Sequence, residues 1–194
     1  DLLRAQVREP PFDPASVLEI PNQKPGTVQI IPLAELPAPL RESFSLEATQ
    51  RKAGMAKRGT AQYFVSAATP ESLGLFDRLE RSLASDRSAL RELFNGAVVD
   101  IALNPDTQGL AWRGFAKEGP LTDGKSNRVY QVFRSQSGEM YALLQWNFVA
   151  SGAAILAAKE NINATIDGQP GTMVVQVDEA GQTRWNLAWH SGDY

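Results

Sequence analysis

The sequence contains no cysteine, which excludes disulfides, thiolate metal sites and cysteine nucleophiles from the residues given. Histidine is nearly absent as well. His190 stands alone, and a histidine-based zinc site needs more nitrogen or sulfur ligands than that. Long hydrophobic runs are missing, since no apolar stretch approaches the roughly 18–20 residues of a spanning helix. Nor is positive charge in excess: 19 Lys and Arg face 22 Asp and Glu, for a formal net charge of −3. A chain of that sign lacks the field that draws proteins onto nucleic acid or anionic lipid, so no nucleic-acid partner is expected. Arg51, Lys52, Lys57 and Arg58 form a local cluster. Gly54 breaks it, no aromatic residue lies within it for base stacking, and it reads as a solvated face or loop.

What is present is an ordinary globular composition, 43% hydrophobic and 21% charged over 194 residues, enough for one core. Proline is unevenly spread. Eight of the 12 prolines (Pro10, Pro11, Pro14, Pro21, Pro25, Pro32, Pro37 and Pro39) fall within residues 1–40, a density no helix interior absorbs. That segment is expected to be an extended arm. Val17, Leu18, Ile20, Val28, Ile30, Ile31, Leu33 and Leu36 make it too apolar for a solvated linker, so it is expected to pack on the rest of the chain or on a partner, with residues 28–31 as an edge strand. The chain begins at Asp1 rather than methionine, which gives the expectation of an exported protein, periplasmic or secreted.

Residues 41–194 read as one α+β domain. Residues 41–59 give at best a frayed helix, and residues 60–67 a short strand. Thr69 is an N-cap followed by Pro70 and Glu71, and Leu75, Phe76, Leu79 and Leu83 then recur at helical spacing. A second amphipathic helix runs from Asp86 through Leu90, Leu93 and Phe94 to Asn95 and Gly96. Beyond it the period changes to two. Residues 97–103 alternate as a strand, residues 128–134 and 139–149 flank a turn as a hairpin, and residues 162–167, 172–178 and 183–190 follow, with 153–159 a short alanine-rich helix candidate. The expected architecture is an antiparallel meander of about five to seven strands, covered on one face by the two helices.

The sharpest motif is GPLTDGKS at residues 119–126, which fits the phosphate-loop pattern: Gly119 and Gly124 for the backbone cradle, Lys125 for the β- and γ-phosphates, Ser126 for magnesium. A phosphate loop must connect a buried parallel strand to a helix. Here RVYQVFR follows at residues 128–134 and favours a strand, Asp123 adds a negative charge, and a turn between antiparallel strands explains the same residues. His190 has Ser191 and Asp193 close in sequence, but a triad requires convergence in space, and in a strand His190 and Ser191 point to opposite faces. Asp100 is an unusual acid in an apolar run. No Asp/Asn series has calcium-loop spacing, and neither a metal nor a cofactor is expected.

The four tryptophans give the binding hint. Trp146 shares a face with Met140, Ala142, Leu144 and Phe148 and reads as core. Trp185, Leu187 and Trp189 share one face of the last strand, Arg184, Asn186, Ala188 and His190 the other. Large aromatics serve core burial first. If the last strand is an edge, Trp185 and Trp189, with Arg184 and His190, become a candidate binding surface. The function expected is a non-catalytic binding or assembly module outside the cytoplasm, its partner another protein, envelope-associated. The alternative is a small enzyme, either a nucleotide hydrolase using residues 119–126 or a carboxylate-based hydrolase.

Overall fold

The computed structural model describes residues 24–58, 61–101, 105–166 and 168–191. The expectations for Pro10, Pro11, Pro14, Pro21, Val17, Leu18, Ile20, Leu103 and Asp193 lie outside these residues, as do the side chains of Arg51, Lys52, Lys57 and Arg58. The fold is mixed α+β and mostly strand, with several antiparallel pairings.

Three antiparallel strands, β4 (Ala111–Lys117), β7 (Arg128–Arg134) and β8 (Met140–Trp146), form a sheet in the order β4-β7-β8. Its central strand is well buried, with Val129, Val132 and Phe133 at 0–1% exposure, as suits β-branched and aromatic residues on a pleated surface. Two short helices, α3 (Leu75–Ser82) and α4 (Arg87–Leu93), lie against it on opposite faces rather than on the one face expected, because the β7 residues they cover, Val132 and Val129, are an odd number of residues apart. Leu79 of α3 packs with Ala116 and Val132. Leu90 of α4 and the following Phe94 pack with Phe115 and Val129. Each fully buried side chain of this size contributes roughly 1.5–3 kcal/mol. The helix expected from Thr69 is interrupted at Gly74, so a one-turn α2 (Pro70–Leu73) precedes α3. Thr69 and Ser72 nevertheless close the capping box that the N-cap signature foretells, with bonds of 3.0 and 3.2 Å. Between α3 and α4, Ala84 exchanges two 2.8 Å backbone bonds with Phe115. That approach leaves no room for a side chain at Gly114, whose φ of +151° also favours glycine.

The strand expected at residues 97–103 does not form over 97–101. Its backbone is held by side chains instead. Val99 donates to Gln145 Oε1 (3.1 Å) and accepts from Gln131 Nε2 (2.8 Å), and the Ala97 carbonyl accepts from Gln145 Nε2. Gln131 also donates to Gln145 Oε1, so these two buried amides, projecting from β7 and β8, replace a strand ladder. On β8, Gln145 is therefore the buried residue, whereas the Met140, Ala142, Leu144 and Trp146 face expected as core is only half covered.

The expected single meander is divided. Its last three strands, β10 (Ala164–Ile166), β11 (Gln169–Val177) and β12 (Thr183–Trp189), join β2 (Met55–Arg58) and β3 (Ala61–Ala67) in a separate five-stranded sheet. There β3 runs parallel to β11, pairing Val174 with Phe64 through Val177 with Ala67. The reason lies in helix α1 (Ala38–Ala53). It begins inside the segment expected as an extended arm, runs 16 residues rather than fraying, and leads into β2 and β3. Pro39 is tolerated because it sits in the first turn. The helix expected at 153–159 is instead a strand, β9 (Ile155–Ala158), paired in parallel with β1 (Val28–Ile31). Short alanine-containing runs have no periodicity to tell helix from buried strand, and the partner strand decides.

Candidate functional site

β12 is bonded to β11 alone among the described residues. The direction of its remaining backbone groups follows from the ladder. Asp178 N–H donates to the Gln182 carbonyl at 3.1 Å, and bonded pairs alternate along an antiparallel ladder. Bonded pairs are therefore Gln176 with Arg184, Val174 with Asn186 and Thr172 with Ala188. The far side of β11 agrees. The Val177 carbonyl accepts from Ala68, the Gly171 carbonyl accepts from Asn163, and Met173 N–H donates to Asn163 Oδ1, all on the β3 and β10 side. Thr183, Trp185, Leu187 and Trp189 thus turn their N–H and C=O groups outward, away from β11.

Those same residues carry the exposed side chains. Trp185, Leu187 and Trp189 are 42–46% exposed and lie in a row on one face. They sit above Val175, Met173 and Gly171 of β11, their register partners. Tyr63 of β3 closes the row at one end, its ring 4.9 Å from that of Trp185 at 61°, an edge-to-face contact. At the other end Gly171 makes room: a Cβ there would lie 2.8 Å from the Ala188 carbonyl and 3.3 Å from Trp189 Cβ. The expectation that Trp185 and Trp189 serve the core is thereby corrected, because β12 is an edge and nothing among the described residues covers its outer side.

The other candidate binding residues lie elsewhere. Arg184 faces the opposite side of the sheet, its guanidinium 4.9 Å from the Phe76 ring of α3. Partial burial holds it below the ordinary guanidinium value, with Tyr130 opposing and Arg78 reinforcing that shift. Tyr130 of β7 is raised above the ordinary phenol range, first by burial and then by the Glu118 carboxylate. His190 follows the last residue of β12 and is half-buried. The four candidates are thus divided, with the tryptophans on the open face and Arg184 on the opposite one, against Phe76 of α3.

Residues 119–126 form a hairpin, with β5 (Leu121–Thr122) paired to β6 (Lys125–Ser126). Asp123 and Gly124 take φ of +51° and +78° at its tip, the doubly left-handed turn that aspartate-glycine favours. Gly119 and Lys125 lie at the exposed start and end of this hairpin. β7 follows it rather than a helix, so no helix N-terminus faces the loop. The Ser126 hydroxyl is fully buried and donates to the Arg128 carbonyl at 2.6 Å. A phosphate loop needs the opposite of each feature.

Asp100 is paired with Arg87 at 3.2 Å. Asn163 belongs to the glycosylation triplet Asn163-Ala164-Thr165, but its side chain is engaged on both sides by the Met173 backbone, at 2.8 and 2.9 Å. Among the described residues no three His, Asp or Glu side chains group as metal ligands, and no helix is long and apolar enough to cross a membrane. Compared with family models, curated proteins and solved structures, the chain matches none. Sequence alternation identifies the Trp185–Leu187–Trp189 row. It misses Tyr63, whose place beside Trp185 depends on the parallel β3–β11 pairing.

Proposed function

We propose that this chain is a non-catalytic binding or assembly module whose recognition surface is the outer edge of β12, and that it takes an extended protein segment as an added strand. The observation that carries the reading is the coincidence at Trp185, Leu187 and Trp189 of outward backbone groups with an exposed apolar row. Strand addition uses both at once: the backbone supplies affinity, and alternate side chains supply specificity. Edges that are not used are blunted by lysine, proline or bulges. β12 has none of these over seven residues, and its ladder with β11 runs from 171↔189 to 177↔183 without a shift. Elsewhere β4 has a register shift between Trp112 and Gly114 and is capped by Ala84.

A panel of extended heptapeptides that alternate β-branched and polar residues tests this, read by tryptophan emission of the whole chain. At least one member is expected to shift the emission to the blue. Leu187→Pro is expected to abolish the shift without unfolding the sheet, because the N–H it removes points outward. A panel with no active member, or a shift that survives Leu187→Pro, refutes strand addition.

A further inference from the structure

We infer that the strand added to β12 is the β12 of a second copy of this chain, in an antiparallel pairing centred on Leu187. This rests on the edge reading above and supplies the partner it leaves open. The edge itself is symmetric. Three of its four outward residues read Trp185, Leu187, Trp189 from one end and the same from the other, with Thr183 beyond them. Antiparallel pairing on those residues sets Leu187 against the partner copy's Leu187 and Trp185 against the partner copy's Trp189, so both copies present an identical, self-complementary surface. Every outward N–H and C=O of the three residues meets its complement.

Charge agrees with the geometry. None of the three residues is ionisable, and the inner-facing pair between them, Asn186 with Ala188, is neutral, so residues 185–189 bring no like charges together; the next pair of the same register sets Arg184 against the partner copy's His190. β8 is also an edge of its sheet, and it supplies the contrast. Its exposed large residues, Tyr141 and Leu144, are an odd number of residues apart, so they lie on opposite faces and make no row. The Trp146 ring is already occupied, with the Arg128 guanidinium 4.1 Å from its centroid and its Nε1 donating to Ser151. A single strand pairing is at the small end of protein interfaces, under about 1,200 Å² in total, so the dimer is expected to depend on concentration.

The absence of native cysteine makes single-cysteine variants of the whole chain a clean probe. In the proposed register the two copies of residue 187 have Cα atoms about 5.5 Å apart, within disulfide reach, whereas the two copies of residue 185 are displaced by four residues, about 13 Å. Leu187→Cys is expected to form a disulfide-linked dimer on mild oxidation, and Trp185→Cys to form no disulfide link. In parallel, sedimentation velocity from about 1 μM to about 1 mM is expected to show the wild-type mass rising toward double. Leu187→Lys should stay monomeric and Leu144→Lys should behave as wild type. A wild-type chain monomeric over the whole range, or equal cross-linking of the two cysteine variants, overturns the second copy as occupant. The peptide titration separates the two failures. A monomeric chain whose β12 still takes a peptide, with loss in Leu187→Pro, leaves the edge reading standing and this inference refuted, whereas a monomer that takes no peptide refutes both.

Discussion

The two main sheets are built from similar material and end differently. β7 and β12 are each seven residues long and rich in large apolar side chains. On β7, Val129 is sealed beneath α4 and Val132, on the opposite face, beneath α3, and Phe133 is buried as well. On β12, Trp185, Leu187 and Trp189 stay over 40% exposed. The difference is not in the strands but in their neighbours: β7 has a strand on each side and a helix over each face, while among the described residues β12 has β11 on one side only. Apolar residues in the first setting hold the fold, and in the second they are available to bind.

That contrast breaks most sharply under core truncation. Phe133→Ala is expected to cost about 3–5 kcal/mol in urea unfolding, whereas Leu187→Lys at dilute protein should stay within about 1 kcal/mol of wild type, since its side chain reaches water and a lysine stem covers the same surface. Equal losses would erase the distinction. Next comes the amide pair beneath Val99. Gln145→Leu orphans the Val99 N–H and removes a partner of Gln131, and is expected to cost about 1–3 kcal/mol, read by the same unfolding curve. Removing a helix cap, Thr69→Ala, should cost about 1 kcal/mol, and association through β12 should be unchanged in that variant.

Smaller effects follow from titration. Tyr130 is raised in the folded state, so the stability it carries is complete below the ordinary phenol value and is lost as pH rises through its folded value, above about 10. Tyr130→Phe should flatten the alkaline end of a melting-temperature profile. Asp86 is lowered, first by its side-chain bond to Ser88 and then by the Ser88 N–H at the head of α4. Its contribution is therefore present above the ordinary carboxylate value and is lost as pH falls below about 4. Asp86→Asn should flatten the acid end. Smallest of all, ATP with magnesium is expected to leave the melting temperature unchanged. A rise that disappears in Lys125→Ala would return the 119–126 hairpin to consideration as a phosphate site.

Local signals in the sequence correspond to local features of the structure. The cap at Thr69, the aspartate-glycine turn at 123–124 and the alternation of Trp185, Leu187 and Trp189 each depend on neighbours a few residues away, and each is legible. What escaped depends on distant partners. Parallel pairing of β3 with β11 and of β1 with β9 joins segments over 100 residues apart, and no periodicity encodes that choice. Residues 97–101 alternate like a strand, yet Gln131 and Gln145 take up their backbone groups. The same blindness applies to the candidate site. Alternation places the two tryptophans on one face, but whether that face is core or surface depends on which strands lie beside β12, which among the described residues is β11 alone, and Tyr63 reaches it only through the parallel pairing.

The outer edge of β12 carries the proposed function, and amide hydrogen exchange reads that edge residue by residue. Arg184, Asn186 and Ala188, whose amides face β11, are expected to exchange slowly at every protein concentration. Trp185, Leu187 and Trp189 are expected to exchange fast in dilute solution and slowly in concentrated solution, so that protection alternates along the strand and the alternation fades on association. Protection of all six amides at every dilution would mean that the edge is already covered within one chain. Fast exchange of the outward three at every concentration would mean that a second copy never pairs with it.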